Sequence, residues 1–195
     1  MYYMKINFIG SSGSGKTTVA AMVFARLKEL GFCCEFVTEQ ARLYISGLRY
    51  KNKDPNFPVI LEDQDQLEIM TKQFRVENIV SYSLNGSGDI ICDSSPLNAL
   101  FYMTEGFRDD SKVKLLVEET LKQSDATFYC EPVTAALLLD PNRVHTSEQS
   151  LQIDRNISSV LKKCTPGLIA SIKCLKGSPE DRASKVVNYI LNKKC

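Results

Sequence analysis

Residues 10 to 17 read Gly10-Ser11-Ser12-Gly13-Ser14-Gly15-Lys16-Thr17, a full G-x-x-x-x-G-K-[ST] phosphate-binding spacing. The chemistry follows from the residue types. Glycines let the backbone wrap an anion with its N–H groups turned inward, and the helix that follows adds its positive end. Lys16 is placed to reach the β- and γ-phosphates of a nucleoside triphosphate, and the Thr17 hydroxyl to sit on Mg²⁺. With glycine near 7% of residues, four such positions match by chance in a chain this long about one time in a hundred. A flexible Gly/Ser turn is the alternative, and the apolar strand before it and helical pattern after it speak against that.

Other chemistry-bearing residues fall just after apolar runs. Glu39 and Arg42 follow the run ending at Val37, three apart on one side of a helical turn. Asp93 ends the run Asp89-Ile90-Ile91-Cys92, where a carboxylate suits holding Mg²⁺ through water or accepting a hydroxyl proton. Arg143, in Asp140-Pro141-Asn142-Arg143, stands where a mobile lid would bring a guanidinium over the phosphates, with Arg155 farther along. Arg182, after the last apolar run, is placed to lie along an adenine ring. Each has a plainer alternative: a helix cap for Asp93, a cap or an ion pair with Arg42 for Glu39, surface ion pairs for Arg143 and Arg155, a solvated helix start for Arg182. His145 reads as a lid or cap residue with no chemistry.

Five strand-like runs alternate with helical patterns, which predicts a parallel sheet with crossover helices, an α/β fold. The strands are expected over 5–9, 33–37, 89–93, 126–130 and 168–175, and the helices over 17–30, 63–84, 111–123 and 147–164. A further helix begins at Ser178-Pro179-Glu180-Asp181. Residues 39–45 read as a helical turn, 47–58 as a loop, and Pro96 as a helix start. In such sheets ligands gather outside the carboxyl ends of the strands. On the long helix, Gln66, Gln73 and Glu77 interrupt two apolar stripes, and so either face an acceptor cleft or form an exposed face.

The chain has 195 residues, one domain by length, with 44% hydrophobic and 24% charged residues and a net charge of +1. That balance argues against a broad sequence-independent grip on nucleic acid. Seven cysteines, an odd number without C-x-x-C spacing, and one histidine fit reduced buried thiols better than disulfides or a metal cluster. With no signal peptide, no apolar run near 18 residues and no sign of oligomeric state, the expectation is a cytoplasmic protein without membrane contact.

Together, Gly10–Thr18, Glu39-x-x-Arg42, Asp93, Asp140-x-x-Arg143, Arg155 and Arg182 resemble the P-loop kinase group. The similarity is nearest to the ribosylnicotinamide-kinase family of the bifunctional NAD-biosynthesis regulator and its small, often phage-encoded relatives. The resemblance implies a three-layer α/β/α P-loop kinase fold with a five-stranded parallel sheet, a single domain over 1–195 and a lid near 132–150. It implies ATP and Mg²⁺ as cofactors and phosphoryl transfer to a hydroxyl of a nucleoside- or nucleotide-like acceptor. By that likeness Lys16, Asp93, Glu39 and Arg143 carry catalysis, and Thr17 and Asp93 hold the metal. Gly10, Ser12, Gly13, Ser14, Gly15, Lys16, Thr17, Thr18, Arg155 and Arg182 bind the nucleotide, while Glu39, Arg42 and Gln73 meet the acceptor. Neighbouring nucleoside kinases carry an acid–arginine pair after the third strand; here Asp93 is followed by Ser94, and Arg42 is the candidate replacement. The resemblance does not take in the nucleotidyltransferase domain of that bifunctional protein, so its second activity is not expected. Two rival readings remain: a kinase acting on a modified base in DNA, from the basic, aromatic segment Arg49-Tyr50-Lys51-Asn52-Lys53, and an ATP-driven switch protein.

Overall fold

The computed structural model describes residues 3–132, 146–165 and 171–194. Its first strand, β1 (Lys5–Ile9), is buried along its whole length, the pattern of a strand covered on both faces. With β2 (Cys34–Val37), β3 (Asp89–Cys92), β4 (Ala126–Cys130) and β5 (Lys173–Leu175) it forms one sheet in the order β2-β3-β1-β4-β5. All pairings are parallel: Asn7 lies beside Cys92, Val37 beside Cys92, Phe8 beside Phe128, and Cys130 beside Leu175.

Helices cover both faces. On one, α1 (Lys16–Glu29) and α6 (Pro179–Lys194) bury Val19, Val23, Leu27, Val186 and Ile190 against Ile6, Phe8 and Phe128. Phe8 and Phe128 stack at 5.9 Å, and Tyr189 meets the edge of Phe128 at 5.6 Å. On the other, α3 (Asp63–Leu84), α4 (Ser111–Gln123), α5 (Ser147–Cys164) and a 3-10 segment (Pro96–Phe101) bury Met70, Leu97, Leu100, Val113, Val117, Ile157 and Leu161 with Ile9. These are the three α/β/α layers and five parallel strands the sequence led one to expect.

Three local expectations change. The second helix, α2, runs from Gln40 to Lys51, through the stretch read as a loop. Gly47 sits inside it, and the chain leaves the helix only where Lys53 turns to φ 54°. None of its residues is buried, so it never wrote an apolar stripe into the sequence. Segment 96–101 is a 3-10 rather than an α-helix. β5 is only three residues long, an edge strand; the stretch 168–170 lies outside the described residues. Among those described the cysteines are free, and no helix is long and apolar enough to cross a membrane.

Candidate active site

The β1–α1 loop is set by its glycines. Gly10 has φ 148°, and a Cβ there would fall 2.7 Å from Ser14 Oγ and 2.8 Å from the Cys130 carbonyl oxygen. Gly13 and Gly15 have φ 81° and 86°, left-handed values that suit glycine. Gly15 is also the N-cap of α1, which has no side-chain cap and no acid in its first turn. Its leading N–H groups therefore lack a side-chain acceptor, as an anion site requires. The loop is tied down from outside. Gly10 N–H donates to Asn98 Oδ1 at 3.2 Å, and Asn98 Nδ2 to Ser94 Oγ at 2.7 Å. Lys16 Nζ donates to the carbonyls of Gly10 and Ser11 at 3.0 and 2.9 Å, folded onto its own loop.

Because Val37, Asn7 and Cys92 lie level in the sheet, the residues just past them meet. Asp93 is buried, with Oδ1 lacking a hydrogen-bond partner. Burial, and next the negative charge of Glu39, push its pKa up to about 6, against the Thr17 hydroxyl, Lys16 and Arg42, which hold it down. Thus Lys16, Thr17, Glu39, Arg42 and Asp93 converge, and Arg42 does stand near the carboxylate that lacks an arginine beside it in sequence. Asp93 is no cap: Ser95 Oγ takes the Leu97 N–H at 3.3 Å and caps that segment. Next to these groups opens a cleft lined by Glu39, Gln66, Met70, Gln73, Ser94 and Tyr102.

Two residues went unread in the sequence. Tyr102 lines this cleft, hydrogen-bonded to the backbone of Ser12, and burial and Glu39 raise its pKa. Asp154 on α5 accepts the Tyr129 hydroxyl at 2.7 Å and lies against Ser11; burial is the main influence raising its pKa. Neither belongs to a motif; only the fold brings them to the phosphate loop.

Behind the cleft runs a buried polar chain. Lys5 Nζ pairs with Glu77 at 2.5 Å, Gln73 Nε2 donates to Glu77 Oε1 at 2.9 Å, and Gln73 Oε1 accepts the Gln40 N–H at 3.0 Å. Glu77 is fully buried; its pKa is raised by desolvation against the pull of Lys5. Gln73, expected to meet the acceptor, spends both ends of its amide inside the protein, and neither it nor Glu77 forms an exposed face.

Arg182 is likewise not a solvated helix start. It is buried, donating to the carbonyls of Ser14 (3.0 Å), Glu131 (2.8 Å) and Gly177 (2.9 Å). Arg155 is exposed on α5, one residue past Asp154. Asp140, Arg143 and His145 lie outside the described residues. A magnesium ion fits the remaining donors: one carboxylate and one hydroxyl beside a phosphate loop. Among the described residues no cluster of three or more His, Cys, Asp or Glu would hold a metal alone, and Mg²⁺ is commonly held by few protein oxygens, with waters and phosphates completing its shell.

Residues 5–182 match the AAA domain family. Comparison with curated proteins finds no match. Among solved structures the chain is similar to the NadR protein in complex with NAD and AMP-PNP, at 17% identity and a TM-score of 0.70, covering 98% of this chain and 49% of that one. It is similar to the NadR protein in complex with NR at 15% identity and a TM-score of 0.68, with the same coverage. Shikimate kinase from Acinetobacter baumannii in complex with shikimate gives 16% identity and a TM-score of 0.52, covering 98% and 95% of the two chains. The chain thus spans about half the length of the NadR chains it matches. What is shared at these identities is the fold, the three-layer arrangement of P-loop kinases.

Proposed function

The chain belongs to the AAA domain family, and from that premise we propose that it is an ATP–Mg²⁺-dependent kinase that phosphorylates a hydroxyl of a nucleoside- or nucleotide-like acceptor. One observation carries this reading: a buried carboxylate, Asp93, with an unpartnered oxygen beside the loop's lysine and threonine, at the mouth of a cleft that also holds Glu39. Glu39 lines the cleft rather than the loop, the place of a group that orients an acceptor. The ligands printed for the NadR structures, NAD, AMP-PNP and NR, agree with a nucleotide donor and a nucleoside-like acceptor.

In this reading the loop amides and Lys16 hold the triphosphate, Lys16 leaving the Gly10 and Ser11 carbonyls to do so. Thr17 would hold Mg²⁺, with Asp93 reaching its shell through water; when bound, the ion neutralises charge on the phosphate oxygens. Asp93 accepts the hydroxyl proton as the acceptor oxygen attacks in line. Glu39 and Arg42 orient the acceptor, and fixing both reactants is the larger part of the catalysis. Arg143 belongs to a lid over about 132–150 and Arg155, on the helix that follows, works with it, within one domain spanning 1–195 that works in the cytoplasm. ADP release measured against a panel of nucleosides, nucleotides and nicotinamide riboside tests the reading. Acceptor-dependent ADP formation that drops about 10²–10³-fold in Lys16→Ala is expected. Turnover indifferent to every acceptor would leave an ATPase instead.

A further inference from the structure

We propose that the outer face of α2 is a binding track for single-stranded nucleic acid, continuing outward from the acceptor cleft. The inference rests on the reading that the Glu39 end of α2 borders that cleft. Arg42 and Arg49 stand seven residues apart, two turns along one face and about 10 Å of axis. Lys53 follows just past the helix end on the same side, and Lys51 adds a further charge. The helix contains no acidic residue. The one acid near its end, Asp54, turns its Oδ1 onto the Asn56 N–H at 2.8 Å.

This face is a built groove rather than scattered charge. Ser46, Arg49, Tyr50, Lys53, Asp54 and Pro55 line it together. Tyr50 is 87% exposed, a flat ring that core packing does not use. Leu43, also exposed, precedes it by two turns on the same side. Arg49 is half-buried and lines the groove, so the open part of its guanidinium is placed to donate to a phosphate oxygen. Backbone-tracking cations beside an aromatic on which a base stacks are the physical requirements of single-strand binding. A duplex fits poorly: its bases cannot reach Tyr50 without leaving the stack, and a base hydroxyl would have to be extruded to approach Asp93. With a net charge of only +1 for the whole chain, the attraction is local, so a short, salt-sensitive contact is expected.

Fluorescence anisotropy with an end-labelled ten-residue oligothymidylate, its duplex with oligoadenylate, and labelled thymidine monophosphate tests the track. The wild type should bind the single strand at least tenfold tighter than either competitor. Tyr50→Ala should weaken it about ten- to a hundredfold. Arg49→Glu with Lys53→Glu should abolish it, and Arg49→Gln should lower the salt slope by about 0.7. Thermal unfolding checks that each variant is folded. Lys16→Ala should keep strand binding while losing phosphoryl transfer, so the track can stand or fall apart from the kinase reading. Equal binding of strand and mononucleotide, preference for the duplex, or undiminished binding by folded variants at both Tyr50 and the basic pair overturns the proposal.

Discussion

In the proposed reaction Asp93 is the residue on which the chemistry turns, and its environment makes two opposed demands. Ionised, it is a base next to the phosphate loop; buried, it resists ionisation, and its pKa sits near 6 rather than 3.8. Phosphoryl transfer should therefore climb as pH rises through about 6 and level off above it. A pH–rate profile flat from 5 to 8 would remove Asp93 from the role of base. Folding responds in the other direction. Between about pH 4 and 6 the folded state binds the proton that the unfolded chain has released, so stability is lost as pH rises through that window. A shift of about two units corresponds to about 3 kcal/mol. Asp93→Asn should accordingly lose phosphoryl transfer by orders of magnitude yet unfold at a higher urea concentration than the wild type at pH 7; equal or lower stability there would mean that the charge is well solvated. The phosphate loop was legible because its four fixed positions are local in sequence, and Asp93 because it ends an apolar strand. Tyr102 and Asp154 were not, since each is an isolated residue whose neighbours come from other segments.

Among the elements, α1, α3, α4 and α5 follow their apolar periodicity almost to the residue, because each lays a continuous stripe on the sheet. α2 escaped the same reading for the converse reason: a helix with no buried residue leaves no stripe. It is held by single contacts, among them Tyr44 Oη to Asp65 Oδ1 at 2.6 Å and Gln40 N–H to Gln73. That second contact ties the residue after Glu39 to the Gln73–Glu77–Lys5 chain in the protein interior. Gln73→Leu should let the start of α2 drift and carry Glu39 away from Asp93. Since the charge of Glu39 helps to raise the Asp93 pKa, the acid limb of the pH–rate profile should move to lower pH while kcat falls; a limb that stays in place would limit Gln73 to packing. Glu77→Ala leaves the Lys5 ammonium buried without its partner, and should cost about 3–5 kcal/mol in urea unfolding. Lys5→Met with Glu77→Leu should regain most of that loss, because an apolar pair of similar volume avoids the desolvation of two charges.

At the scale of the molecule, the carboxyl edge of the sheet is stitched together by a residue from the far end of the chain. Arg182 joins the phosphate loop through Ser14, the exit of β4 through Glu131, and the turn before α6 through Gly177. The remoteness of these partners in sequence hid this stitching role; only the position of Arg182 after the last strand was legible. At the opposite edge a second long-range tie closes the fold: Lys194 pairs with buried Asp89 at 2.7 Å, and Asp89 Oδ1 accepts the Met4 N–H at 2.9 Å. A loop anchored in this way meets its ligand with little ordering left to do, so binding energy should appear as stability. At a hundred times its dissociation constant an ATP analogue with Mg²⁺ adds about 2.7 kcal/mol, or about 5–10 °C in Tm for a chain of this length. Arg182→Leu strands three carbonyls and a share of the loop's rigidity, so it should unfold several degrees lower and, at the same analogue concentration, gain a smaller increment. Arg182→Lys should not restore the increment, because one ammonium cannot reproduce a planar fork spread over three acceptors. If calorimetry finds an undiminished analogue-induced shift in Arg182→Leu, the loop holds its shape from its glycines alone, and the stitch serves only the fold.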